Sequence, residues 1–136
     1  MQTTDYNFTK AVLNTTINNK PAQITVTGRF EEYDYSTIES TRNSKPCRTI
    51  SLFSDVQLSD DTIELLADMV DDVFGSLEPV VNAADSNRLC TRIDIEFPTV
   101  KPSGYEWDET DFDDCIREFI FHLNPFFSGT MTIYNF

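Results

Sequence analysis

Two carboxylates one residue apart, Asp94-x-Glu96, have the best claim to catalytic chemistry in this chain. Side chains on a strand alternate between faces, so the spacing puts both acids on one side. With Asp111, Asp113 or Asp114 nearby they would offer the oxygen ligands that hard divalent cations take. The chemistry would be metal-dependent phosphodiester hydrolysis. A common nuclease pattern also requires a lysine two residues after the second acid. Here Glu96 is followed by Phe97 and Pro98. An EF-hand loop is excluded because no glycine stands at its sharp turn.

The remaining reactive residues are poorly set for catalysis. His122 is the only histidine, and GxSxG, HExxH and Walker-type signatures are absent. Its position in the last turn of a helix suits a cation facing the helix dipole. Cys115 falls on an apolar helical face among several acids, and both settings disfavour the thiolate. Cys47, Cys90 and Cys115 are odd in number and widely spaced, without a CxxC. They read as reduced thiols of a cytosolic protein rather than a disulfide framework or a zinc site. Four glycines argue against a glycine-rich cofactor loop. The expectation is a non-enzymatic protein with no catalytic residues, metal or cofactor.

What the sequence does concentrate is negative charge. The formal charge is −13, and it is unevenly distributed. Residues 1–54 hold five acids and six bases, whereas residues 55–136 hold eighteen acids and four bases. In YEWDETDFDD, residues 105–114, six acids surround Tyr105, Trp107 and Phe112. Such asymmetry implies a charged binding face and disfavours direct contact with nucleic acid or anionic lipid there.

Two helices must carry these acids. Ser59 is a good N-cap for DDTIELLADMVDDVFG, with Asp60 and Asp61 at the positive end of the dipole and Gly75 at C′. Ile63, Leu66, Ala67, Val70, Val73 and Phe74 form one apolar stripe. At about 100° per residue, Asp60, Asp61, Glu64, Asp68, Asp71 and Asp72 fall within an arc of about 120° opposite that stripe. No lysine or arginine interrupts it. Like charges at Glu64–Asp68 and Asp68–Asp72 cost the helix ~0.2–0.5 kcal/mol each. A second helix is predicted from near Thr110 to about His122, with Phe112, Cys115, Ile116, Phe119 and Leu123 on its inner face and Asn124-Pro125 ending it. Glu106, Asp108, Glu109, Asp111, Asp113 and Asp114 crowd its start. Capping and the dipole account for two or three of them.

The rest of the chain reads as strands and loops. NTTINNKPAQITVTGRF predicts a hairpin with Asn18-Asn19 in a left-handed turn and Pro21 at a strand edge. Ile24, Val26 and Phe30 alternate with polar residues. Gly28 on the apolar side marks a bulge or a close approach. The first arm, roughly Phe8 to Ile17, reads as strand, with a short helix from near Asp5 as the alternative. Residues 34–47 read as a long polar loop. RTISLF and CTRIDIEF read as strands, residues 76–87 as a turn or short helical piece, and GTMTIYNF as a last strand. Aromatics Tyr105, Trp107 and Phe112 would dock the start of the second helix into the core.

At 136 residues, with 40% hydrophobic residues, the chain is long enough for one domain with one core. The expected fold is α+β over residues 1–136: an antiparallel sheet of about five strands with two main helices on one face. No apolar run is long enough for a membrane span, and the polar N-terminus lacks a secretory signal, so a cytoplasmic location is expected. The functional expectation is an acidic protein that occupies a basic, nucleic-acid-binding groove on a partner protein. Anti-restriction and anti-CRISPR inhibitors use that physical strategy as a class. The alternative is a structural or adaptor subunit whose acidity only aids solubility, with a divalent-metal phosphodiesterase third.

Overall fold

The computed structural model describes residues 8–31, 47–87, 90–98 and 100–134. The polar segment predicted as a loop lies almost wholly outside them, as does Asp5. Six strands, β1 (Lys10–Ile17), β2 (Lys20–Glu31), β3 (Cys47–Ser54), β4 (Val80–Asn87), β5 (Cys90–Glu96) and β6 (Gly129–Tyr134), form one antiparallel sheet. Their order is β4-β5-β3-β2-β1-β6. Two helices, α1 (Asp60–Phe74) and α2 (Glu109–Leu123), pack on one face of it. The fold is thus α+β, with one strand more than the sequence reading.

Register explains why one face is dry. Gly28 lies opposite Ile50, which lies opposite Ile95; one step along, Val26, Leu52 and Ile93 stand in line. Val26, Ile50, Leu52, Ile93 and Ile95, with Leu13 on β1, are buried against Leu66, Val70 and Phe74 of α1 and Phe112, Ile116, Phe119, Ile120 and Leu123 of α2. The alternate residues (Thr25, Thr27, Ser51, Phe53, Asp94 and Glu96 among them) project to the face opposite the helices. Asn18 and Asn19 both take positive φ, 54° and 64°, and form the tight β1–β2 turn expected of them. The first arm is strand over Lys10–Ile17.

Gly28 is a close approach. A Cβ there would lie 2.2 Å from Ile116 Cδ1 and 3.1 Å from Phe112 Cε2, so α2 rests directly on the β2 backbone. Gly129, at φ +147°, likewise leaves no room for a side chain against the Asn14 carbonyl.

Three expectations need correction. Residues 80–87 are strand β4, an edge strand paired with β5, and only Gly75–Leu77 are helical, as one 3-10 turn. The polar run after Val80-Val81 hid it, because an edge strand facing solvent needs little apolar alternation. Gly75 is right-handed, at φ −55°, and carries α1 into the 3-10 turn; Glu78 takes the left-handed position instead, at φ 54°. Tyr105 is 74% exposed, whereas Trp107 and Phe112 are buried.

Val70 and Phe119 are both buried in the shared core. Val70→Asp or Phe119→Asp would bury a charge with no partner, costing several kcal/mol against a total stability of roughly 5–15. Gly28→Ala should cost about 1–3 kcal/mol through overpacking. Chemical denaturation followed by circular dichroism measures all three. A Gly28→Ala protein as stable as wild type would show that α2 can shift without loss.

Candidate functional site

The acidic face of α1 is built by its own amphipathicity. Ser59 caps the helix by accepting the Thr62 N–H at 3.2 Å, which fixes where the first turn begins and hence which side each residue takes. With Leu66, Val70 and Phe74 held in the core, Asp60, Asp61, Glu64, Asp68, Asp71 and Asp72 all stand exposed on the outside of the helical layer. None of the six makes an ion pair with a described residue. Leu65, on the border of the same face, is 56% exposed.

The acids around the start of α2 divide by task. Asp108 is the N-cap, its Oδ1 accepting the Asp111 N–H at 2.7 Å. Asp111 pairs with Lys101, Nζ to Oδ2 at 2.6 Å, and that ammonium also sits 5.1 Å from the centre of the Trp107 ring. Trp107 in turn donates its indole N–H to the Pro98 carbonyl at 2.9 Å. Asp108 and Asp111 therefore fasten the segment that leads into α2.

Asp113 does not lie on the acidic surface predicted for it. It is buried, and it accepts the Thr9 N–H at 2.7 Å, the Thr9 hydroxyl at 3.1 Å and Arg117 Nε at 2.9 Å. Burial pushes its pKa up, but the Thr9 and Arg117 hydrogen bonds outweigh burial and hold the carboxyl below its usual value. Helical periodicity places residue 113 one step from Phe112, at the margin of the apolar face, and Arg117 at i+4 was the legible sign of a local partner. Glu106 and Asp114 remain exposed and Glu109 half-buried. Glu118, one turn after Asp114, adds an exposed acid that the sequence reading omitted; its carboxylate is 3.1 Å from His122 Nε2.

The carboxylates considered for metal chemistry are not brought together. Asp94 and Glu96 project from one face of the sheet, while α2 packs on the other. Asp94 accepts the Ser51 hydroxyl at 2.7 Å and Arg92 Nε at 3.1 Å, and Glu96 accepts from Asn82. Among the described residues no group of three or more potential ligands is placed to hold a metal ion. Cys115 is half-buried, and burial, with Asp114, Asp111 and Glu118 nearby, pushes its thiol up to about 11 despite the opposing charge of Lys101. Among the described residues no helix is long and apolar enough to cross a membrane.

An open concavity of about 720 Å³ lies between the β1–β2 turn and the segment leading into α1, with Lys20, Asp55 and Asp60 in its lining. Its mixed charges single out no ligand. Comparisons with protein-family models, curated proteins and solved structures find no match.

The Asp113 geometry has a pH consequence. Its folded pKa is lower than its unfolded pKa of about 3.9, so the carboxylate contributes its full stability above about pH 4 and loses it as pH falls through the folded value. Asp113→Asn should destabilise the protein by about 1–3 kcal/mol at neutral pH, the range for hydrogen bonds to a charged group. It should also flatten the decline in stability below about pH 4. Urea titrations at neutral and acid pH decide this. An equal loss at both would mean that packing, and not the charge, matters at residue 113.

Proposed function

We propose that this chain is a non-enzymatic acidic protein that occupies the basic, nucleic-acid-binding site of a partner protein, in the manner of anti-restriction and anti-CRISPR inhibitors. The observation that carries this reading is the outer face of α1: six exposed carboxylates, none paired with a described cation. A solvated acidic helix gains from lysines at i,i+4, and this one has none. Carboxylates one turn apart repeat every ~5.4 Å, against one phosphate per ~3.4 Å along each strand of a duplex. Two such ridges approximate the charge density that a basic groove binds, and neutralising them would release the groove's own counterions.

The face is graded. Asp60–Asp72 of α1 supply the main ridge, and Glu106, Glu109 and Asp114 of the neighbouring segment extend it. Asp108, Asp111 and Asp113 are occupied by capping, Lys101 and Arg117. They contribute to the potential without being free to reach a partner. Exposed Leu65 and Tyr105 add short-range apolar contact at the rim. Were the acidity only a solubility device of an adaptor subunit, binding would run through such apolar groups and would be insensitive to salt.

Two measurements test this. Reversing Glu64, Asp68, Asp71 and Asp72 to lysine should abolish binding and leave the fold intact, since all four face away from the core. The binding assay is capture of a nucleic-acid-handling protein at low salt and its release by added nucleic acid; unchanged capture by the folded quadruple variant would sink the proposal. Neutralising the rim with Glu106→Gln, Glu109→Gln and Asp114→Asn spares the Asp108 cap. It should slow association several-fold at low salt, leave dissociation nearly unchanged, and lose its effect above ~0.15 M salt, where screening acts within ~8 Å. A salt-independent defect confined to dissociation would point instead to Leu65 and Tyr105 as the recognition elements.

A further inference from the structure

The two ends of the sheet are defended differently. Exposed strand edges invite pairing with other chains, and charge or irregularity blunts them. At one end, β4 carries a register shift between Ala84 and Asn87. At the other, β6 reads GTMTIY, with neither charge nor irregularity. Residues 123–136 contain no Asp, Glu, Lys or Arg, in a chain that is 24% charged. Among the described residues no strand pairs with the outer edge of β6. Beside that edge Ile133, Tyr134 and Phe121 are exposed, and a groove of about 320 Å³ between α2 and β6 has Ile120, Phe121, Met131 and Ile133 in its wall.

We propose that a second copy of this chain covers this edge, the two β6 strands pairing antiparallel about a two-fold axis to join two six-stranded sheets into one. The strand is self-complementary in one register. With Thr132 opposite its own copy, Met131 faces Ile133 of the second copy and Thr130 faces Tyr134 of the second copy. Every such pair joins residues an even number apart. The apolar residues of the helix-covered face therefore meet on one side and the Thr/Tyr residues on the other. The outward N–H and C=O groups fall opposite one another, as an antiparallel ladder requires. The same operation sets the two Phe121 rings and the two Ile133 side chains along one seam.

Charge also selects this edge. Two chains of −13 repel. Helix α1 contacts β4, so its acidic arc lies toward the β4 end, while α2 contacts β2 and borders β6. Pairing through β6 puts the two α1 arcs at opposite ends of the assembly, and pairing through β4 would bring them together. The dimer does not depend on what the acidic helices bind.

Sedimentation equilibrium of the full chain over a wide concentration range should give twice the 15.6 kDa of one chain. Thr132 is exposed, so Thr132→Lys and Thr132→Glu should fold, which circular dichroism checks. Each would set like charges ~4.5–5.5 Å apart at Cβ across the axis and weaken the dimer at least tenfold at low salt. Mixing the two variants should restore the dimer through Lys–Glu pairing. A wild-type chain that stays monomeric throughout, or variants that dimerise as tightly as wild type, would overturn the proposal. So would a mixture that associates no better than either variant alone.

Discussion

The Phe112 ring is the contact on which the arrangement of the helical layer depends. It is fully buried, and it meets Phe8 at 5.3 Å, Phe30 at 5.6 Å, Trp107 at 6.0 Å and Phe97 at 6.4 Å, several of them edge to face. Edge-to-face pairs add roughly 0.5–1.5 kcal/mol each beyond the area they bury. One side chain thus ties together the chain before β1, the end of β2, the segment after β5 and the first turn of α2. It reaches the β2 backbone only because Gly28 has no side chain. The acids that crowd Phe112 in sequence follow from this placement. A helix whose inner face is committed to aromatic packing must present its remaining positions to water or to a partner.

The same comparison of magnitudes explains how α1 tolerates its own charge. Three like-charge pairs at i,i+4, Asp60–Glu64, Glu64–Asp68 and Asp68–Asp72, cost ~0.2–0.5 kcal/mol each. Burial of Leu66, Val70 and Phe74 returns roughly 1.5–3 kcal/mol per side chain. Packing wins comfortably, so the acidic arc is a modest burden that the fold can carry. Around the start of α2, Asp108, Asp111 and Asp113 have been absorbed, by a cap, a lysine and an arginine, while Asp114 stays exposed. The two helices are similarly acidic in sequence yet offer different amounts of charge to a partner.

Periodicity made both helices, their inner stripes and the Asn18-Asn19 turn legible in the sequence, because each depends on neighbours within a few residues. The outward position of all six α1 acids follows from the same stripe. Strand β4 was hidden because its pairing partner, and not its composition, holds it in place. The role of Asp113 was hidden because its decisive partner, the Thr9 backbone, is remote in sequence. Tyr105 was misjudged for a related reason: three aromatics in one segment looked like a single anchor, but only Trp107 and Phe112 reach the cluster of rings from remote parts of the chain. Of the candidate site, the surface was readable and the division of labour among its acids was not.

Trp107 is the only tryptophan, which gives this architecture a built-in optical probe. Its indole is buried against Phe97 and Phe112, donates to the Pro98 carbonyl and lies beneath the Lys101 ammonium. Emission from a single site in that setting is blue-shifted while the segment leading into α2 stays docked, and it moves to the red when that segment lifts away. The Lys101 ammonium over the ring favours iodide, whereas the exposed acids Glu106 and Asp108 beside it favour caesium. The contrast between an anionic and a cationic quencher therefore reads the local electrostatic potential at the edge of the acidic surface, without a label and without altering a residue.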